Sequence, residues 1–230
     1  MQKPTLSSYI RQKLRELKTK KEPGPYITIS RQPGCEGYKV GDVLLEMLND
    51  ADEYQRWRLY KKEILKHLAE DAELNEELIE RLRHERPNLC KEFFRGMSGS
   101  GIPDGFEVRS KITAMVRTVA YEGFAIIIGQ GGTAATADLA NGLSVRIEAP
   151  KQWRMIRICR RDNLSKEEAI VKMAEEEAKR SYLRTIYEQT NPRMPAFNLL
   201  FDNSVFTAEQ IASQIYYALQ LKNMIPPAGL

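Results

Sequence analysis

The chain has 230 residues, 42% of them hydrophobic and 29% charged, with a formal net charge of +4. That length and composition suit one well-cored globular domain and exclude a wholly disordered chain. No stretch approaches the ~20 apolar residues that a membrane-spanning helix needs, and the mild basic charge fits phosphate handling without demanding nucleic acid.

Residues 1–25 form a basic arm carrying Arg11, Lys13, Arg15, Lys18, Lys20 and Lys21. It lacks the apolar segment of a signal peptide, so a cytoplasmic location is expected. Leu6, Ile10, Leu14 and Leu17 recur at helical spacing over 6–18, and Pro23-Gly24-Pro25 follows as a linker. No aromatic pattern accompanies the charges. They read as a solvated face or an arm for homo-oligomer contact, against nucleic acid.

Tyr26 to Ser30 is a β-branched strand, followed by a glycine-bearing turn and a helix through Val40, Val43, Leu44, Met47 and Leu48. Residues 60–95 are densely charged and predict helix, with Ile64, Leu65, Leu68, Leu74, Leu78, Ile79 and Leu82 as the apolar stripe and Pro87 at a boundary. Residues 96–101 are a Gly/Ser loop. A helix over 107–121 leads into a buried strand, Phe124 to Ile128. Gly129 to Gly132 opens a short helix, Asn141-Gly142 turns the chain, and Leu143 to Glu148 is the next strand. Pro150 suits a first helical position, and Ser165 with Glu168 makes a capping box for a long charged helix. Phe197 to Phe201 predicts the last strand, and Thr207 caps a helix to about Leu221. Strands alternating with helices predict a mostly parallel sheet covered on both faces.

Ser30 to Lys39 carries the first chemical signal. Strand, glycine turn and helix together aim backbone N–H groups and a helix dipole at a phosphate, and Gly34 and Gly37 permit the tight path. The formal GxxxxGK[ST] pattern is absent, so an ordinary βα turn explains this segment equally well. Arg154, Arg157 and Arg161 fall along one helical face, where guanidinium forks suit phosphate oxygens. Their bland alternative is ion pairing with Glu175, Glu176 and Glu177. Cys35 stands at a helix entrance, which would lower its thiol pKa, although a bystander thiol is the simpler reading. Cys35, Cys90, Cys159, His67 and His84 show no metal-ligand spacing, so no structural metal is expected. Trp57 and Trp153 suit core positions, and His67 and His84 suit solvent. Gly129 to Ala134 also satisfies G-x-G-x-x-A, with Glu148 at the end of the next strand, which is a Rossmann-type NAD(P) fingerprint.

Several pieces then occur in a familiar order. Ile27 to Gln32, the glycine turn and Val40-Gly41 are followed by Tyr60-Lys61-Lys62-Glu63-Ile64-Leu65, Ile127-Ile128-Gly129-Gln130-Gly131, Ala149-Pro150, Trp153-Arg154, Arg157 and Arg161. Over about residues 26 to 220 this series resembles the cytidylate-kinase-like family. The resemblance implies an α/β, three-layer P-loop NTPase-like parallel sheet flanked by helices, spanning 26–222. It also implies an acceptor-binding helical insertion near 60–105, a lid near 160–193 and a tail at 223–230. The implied reaction is transfer of a phosphoryl group from ATP, with Mg2+, to a CMP-like nucleoside monophosphate or related small acceptor, which depends on positioning and positive charge. A small-molecule nucleotide is thus the expected partner.

By that resemblance Lys39, Arg157, Arg161, Arg180 and Arg184 are the catalytic candidates. Arg31, Gln32, Gly34, Cys35, Gly37, Tyr38, Asp202 and Asn203 are cofactor-binding candidates, Arg31 also bordering the acceptor. Lys61, Gln130 and Gly131 are the substrate-binding candidates. For Asp202, Asn203 and Ser204, turn and cap chemistry is an equal alternative. Gly37 replaces the phosphate-loop lysine, Glu36 a glycine, Gln130 an acceptor-binding arginine and Lys61 an aspartate. These departures keep two alternatives open, a catalytically weak nucleotide-binding protein and the NAD(P)-binding reading of Gly129–Ala134.

Overall fold

Tyr26–Arg31 (β1) alternates side chains between two apolar faces, and every other strand is arranged around it. The computed structural model describes residues 22–51, 56–64, 103–190 and 197–226, the side chains of 103–111 and 181–190 excepted. The described elements after β1 are α1 (Gly37–Ala51), β2 (Arg58–Tyr60), α2 (Pro103–Glu122), β3 (Ala125–Ile128), α3 (Gly132–Ala135) and β4 (Gly142–Glu148). They continue with α4 (Lys151–Asp162), α5 (Lys166–Thr190), β5 (Leu199–Asp202) and α6 (Ala208–Leu221). The five strands form one parallel sheet in the order β2-β3-β1-β4-β5.

Period-two alternation in the strands produces three layers. Ile27, Ile29, Ile126, Ile128, Val145 and Ile147 pack with Val40 and Leu44 of α1 and with Ile211 and Ile215 of α6. Tyr26, Ala125 and Ile127 face the opposite way, onto Met115, Val116 and Val119 of α2. The longest described helix, α5, packs on α4 through Ile158, Ala169 and Met173. Local chemistry starts these helices where expected. Glu168 N–H donates to Ser165 Oγ at 3.2 Å while Ser165 N–H donates to Glu168 Oε2 at 2.8 Å. Thr207 and Gln210 make the same reciprocal cap on α6. Asn163 ends α4 in the left-handed region, φ 53°.

Several boundaries differ from the sequence expectation. Tyr60 ends a three-residue strand and does not begin a helix. That strand is too short for a visible alternation and exists through its pairing with β3. Phe124 lies outside β3 because its φ is 49°, incompatible with a strand. Helix α2 begins at Pro103, four residues before the predicted start. Pro150 is the N-cap of α4, in extended backbone, one position before the first helical residue. The last strand runs Leu199–Asp202, shifted from Phe197–Phe201. Trp57 is buried, its ring edge-on to Phe124 at 5.6 Å, as a core position requires. The helix expected at 6–18, the oligomer arm, Cys90, His67, His84, residues 65–102 of the helical insertion, residues 191–193 and residues 227–230 lie outside the described residues. Among the described residues no helix is long and apolar enough to cross a membrane.

Candidate nucleotide-binding site

In an open parallel sheet, ligands lodge outside the carboxyl ends of strands where successive connections diverge. Here β1 leads by way of β2 to one side, whereas β3 leads to β4 on the other. The exits of β1 and β3 therefore form the switch point, and two glycine loops meet there.

The loop after β1 is pinned by groups distant in sequence. Gln32 N–H donates to the Ile147 carbonyl (3.0 Å), and Gln32 Oε1 accepts from Ala149 N–H (3.0 Å). Cys35 N–H turns back to the Gln32 carbonyl at 3.2 Å. Glu36 N–H donates to Asn203 Oδ1 at 2.8 Å, and Asn203 Nδ2 reaches the Phe206 carbonyl at 3.0 Å. Asn203 is 4% exposed, so both ends of its amide serve as a strut between β5 and the loop. Gly34 has φ 88°, and a Cβ there would lie 2.8 Å from the Arg154 carbonyl, so only glycine lets α4 approach. At the start of α1 the first-turn N–H groups have no intrahelical acceptors, which is the geometry that receives anions.

Arginines surround this loop. Arg154, 5% exposed, donates to Ala149 O at 2.8 Å and to Glu177 Oε1 at 2.5 Å. It also reaches the Pro33 carbonyl at 3.4 Å. Arg157 lies over the Trp153 ring at 4.7 Å and pairs with Glu36 at 2.6 Å. The Glu36 carboxylate is thereby paired within the chain. Arg180 bonds the Arg31 carbonyl at 2.9 Å and Glu176 at 2.7 Å. Burial pushes its pKa below the ordinary arginine value, and the neighbouring Arg31 charge pushes the same way. Arg146 of β4 reaches Ser30 Oγ at 2.8 Å and Glu148 at 2.9 Å. Sequence reasoning overlooked Arg146. Its signal was a charge in a strand otherwise alternating Leu143, Val145 and Ile147.

The second loop is built mainly by its own backbone. Gly129, Gln130 and Gly131 take φ of 73°, 55° and 69° in succession. A Cβ on Gly129 would collide with Arg31 Nη1. Arg31 thus reaches from β1 across the exit of β3, its guanidinium 4.7 Å from the Tyr38 ring centroid.

The remaining candidates make contacts of their own. Lys39 Nζ is 2.8 Å from Glu209 of α6, a contact that lowers the Glu209 carboxyl to about 2. Lys61 pairs with Asp42 at 2.9 Å and lies 5.6 Å from the Tyr38 ring centroid. Arg161 grips the adjacent Asp162 through two nitrogens, at 2.7 and 2.8 Å. Asp202 accepts from the Ser204 N–H and hydroxyl at 2.8 and 2.6 Å, an Asx-type turn. Arg184 is on the backbone of α5, with its side chain outside the described ones. Cys35 falls on the bystander side of its two readings. Burial raises the Cys35 thiol from 9.0 to about 11, the nearby Arg154 and Arg146 charges opposing this only in part. The Rossmann-type fingerprint also fails, since β3 and β4 flank β1 instead of pairing, α3 has only four residues, and Glu148 is bonded to Arg146.

A polyphosphate fits the cations and first-turn donors present. Magnesium characteristically takes one or two carboxylates together with substrate phosphates. Among the described residues there is no grouping of three or more His, Cys, Asp or Glu side chains that could hold a metal by itself.

Among solved structures, an uncharacterized Eubacterium ventriosum protein matches with a TM-score of 0.64 at 19% identity, over 86% of this chain and 98% of its own. Thermus thermophilus TT1252 matches at 16% identity with a TM-score of 0.41, over 87% and 98%. The first of these likenesses concerns the fold alone, a parallel sheet flanked by helices. No curated protein matches the chain. The cytidylate kinase-like family model matches residues 26–205, which is most of the chain and the whole of the sheet and both loops. The chain belongs to the cytidylate kinase-like family.

Proposed function

We propose that the protein transfers a phosphoryl group from ATP–Mg to a nucleoside monophosphate or a related small phosphate acceptor. The observation that carries this reading is the convergence of the first turn of α1 with Arg31, Arg154, Arg157 and Arg180 at the sheet's switch point. Phosphoryl transfer needs little covalent help from a protein. It needs aligned reactants and fixed positive charge where charge spreads over the transferred group.

In this reading the N–H groups of Gly37, Tyr38 and Lys39 bind donor phosphate oxygens, and Arg157 supplies the charge that a loop lysine would otherwise bring. Arg157 must leave Glu36 to do so, because a carboxylate and a phosphate compete for one fork. Arg154 positions the loop from beneath. Magnesium, carried on the nucleotide phosphates, would neutralise charge on the donor. The segment near 60–105 serves as the acceptor-binding insertion, and the segment near 160–193 as a lid that excludes water.

The test is consumption of ATP–Mg with CMP, dCMP, UMP and AMP as acceptors. Acceptor-dependent turnover that falls at least tenfold in Arg157→Ala supports the reading, that being about 1.4 kcal/mol of transition-state stabilisation. ATP binding without turnover on any acceptor would replace it with a nucleotide-binding protein that is not a kinase. The Glu36–Arg157 and Lys39–Glu209 pairs favour this second reading, since both occupy cations that chemistry would use.

A further inference from the structure

The outward face of α5 carries an apolar strip. At about 3.6 residues per turn, Ile170, Val171, Ala174 and Ala178 share one side of the helix, opposite Ala169 and Met173, which are buried against α4. Ile170 is 42% and Val171 59% exposed, and both outward alanines are exposed. Glu167 and Glu175 border the strip, and among the described residues no cation pairs with either. Their inward neighbours differ, since Glu176 binds Arg180 and Glu177 binds Arg154. Lys166 and Lys179 are exposed but fall outside the strip. An apolar strip edged by unpaired carboxylates complements a basic amphipathic segment. It does not complement itself, because two such strips face to face would bring like charges together.

Residues 6–21 supply such a segment. Leu6, Ile10, Leu14 and Leu17 repeat at helical spacing, and the segment carries six cations against one carboxylate, Glu16. Positions 6 to 17 and 167 to 178 cover the same number of steps, about 17 Å of helix in each case. The arm joins the body at Pro23, whose carbonyl accepts from Asn141 Nδ2 at 2.9 Å, at the amino end of the sheet. The contacts that place α5 lie at the carboxyl end, where Arg180 donates to the Arg31 carbonyl and Glu177 meets Arg154. Residues 19–22 extend about 14 Å, less than the roughly 20 Å of a strand as long as β1. That separation favours the arm of another copy as occupant. We infer that residues 6–21 of one copy dock along Ile170, Val171, Ala174 and Ala178 of a second copy, with arm cations at Glu167 and Glu175. Reciprocal exchange closes a twofold dimer and covers the strip of both copies. This surface stands apart from the proposed phosphoryl transfer and does not depend on it.

Photo-cross-linking and sedimentation equilibrium of the full chain test it. Lys179→Cys, beside the strip, is labelled with benzophenone maleimide, and wild type labelled alongside accounts for the native cysteines. Irradiating an equal mixture of unlabelled and isotope-labelled chains should join α5 of one isotope to residues 6–21 of the other, as read by mass spectrometry. Wild type should sediment as a dimer that weakens with added salt. Leu14→Asp should weaken the dimer on the order of tenfold or more, the effect of withdrawing one leucine from an apolar contact. Glu175→Lys, at an exposed position, should weaken it less. The docking site is overturned if wild type stays monomeric, or if the cross-links reach only segments other than 6–21. Products confined to one isotope would place the arm on its own chain and overturn it too. So would a Leu14→Asp protein that dimerises as wild type does. A monomer that binds phosphatidylserine vesicles, and loses them on Leu14→Asp, would assign the arm to a membrane surface instead.

Discussion

The loops after β1 and β3 sit side by side at the carboxyl end of one sheet, yet different forces hold them. The β3 loop is mostly local, with Gly129, Gln130 and Gly131 in the left-handed region and a single backbone bond from Gly129 N–H to the Ile29 carbonyl of β1. The β1 loop is tertiary. Its path depends on Ile147, Ala149, Arg154, Arg180 and Asn203, which come from β4, its exit, α4, α5 and the exit of β5. A loop shaped by its own backbone fails when a glycine is lost. A loop shaped by neighbours fails when a distant side chain is lost, and it can also move when those neighbours move.

The largest expected effect comes from the tertiary side. Arg154→Ala removes a buried guanidinium from two carbonyls and Glu177. It should cost about 3 kcal/mol, the lower end for a broken buried pair because Glu177 is partly exposed. Urea denaturation measures this, and a loss within error would mean the β1 loop does not depend on α4. Asn203→Ala strands the Glu36 N–H and the Phe206 carbonyl and should cost about 2 kcal/mol. In the same protein the KM for ATP should rise more than kcat falls. An unchanged KM would make Asn203 a strut of β5 only.

On the local side, Gly129→Ala should cost about 1–2 kcal/mol, the penalty for a Cβ in left-handed backbone. An effect larger than that of Arg154→Ala would invert the comparison. Cys35 reports on burial of the β1 loop. Its thiol is raised from 9.0 to about 11 by desolvation, so iodoacetamide labelling should stay slow at neutral pH and accelerate only towards pH 11. The sign for stability follows. The neutral buried thiol favours the folded state below pH 9, and that contribution disappears as pH rises from 9 to about 11. Labelling as fast as a free thiol at pH 8 would show an open loop. The smallest effect belongs to Lys39→Ala. The pair with Glu209 is solvent-exposed on both sides, so denaturation midpoints should not resolve the change. A collapse of turnover in that variant would show that Lys39 leaves Glu209 to act on phosphate.

Much of the frame was legible from local signals. The run Ile27 to Ile29, the apolar Ile126 to Ile128 and the alternation of Leu143, Val145 and Ile147 mark strands, because burial on one or both sheet faces demands those patterns. The Ser165–Glu168 and Thr207–Gln210 caps mark helix starts, because each is completed within four residues. The three-residue β2 escaped, since only its neighbour β3 makes it a strand. The apparent dinucleotide fingerprint misled for a related reason. Its spacing is local, but its meaning requires that β3 and β4 be neighbours, and β1 lies between them.

By itself the sequence determined the parallel α/β class, the glycine turns after two strands and the supply of arginines, each readable from periodicity and residue type. Tertiary structure decided what those arginines face. Arg157 meets Glu36, Lys39 meets Glu209, Arg154 is buried beneath the loop, and Arg31 stands over Gly129 with no carboxylate among the described residues. Charge pairing depends on separations of a few ångströms between residues far apart in sequence, and no local pattern encodes those separations.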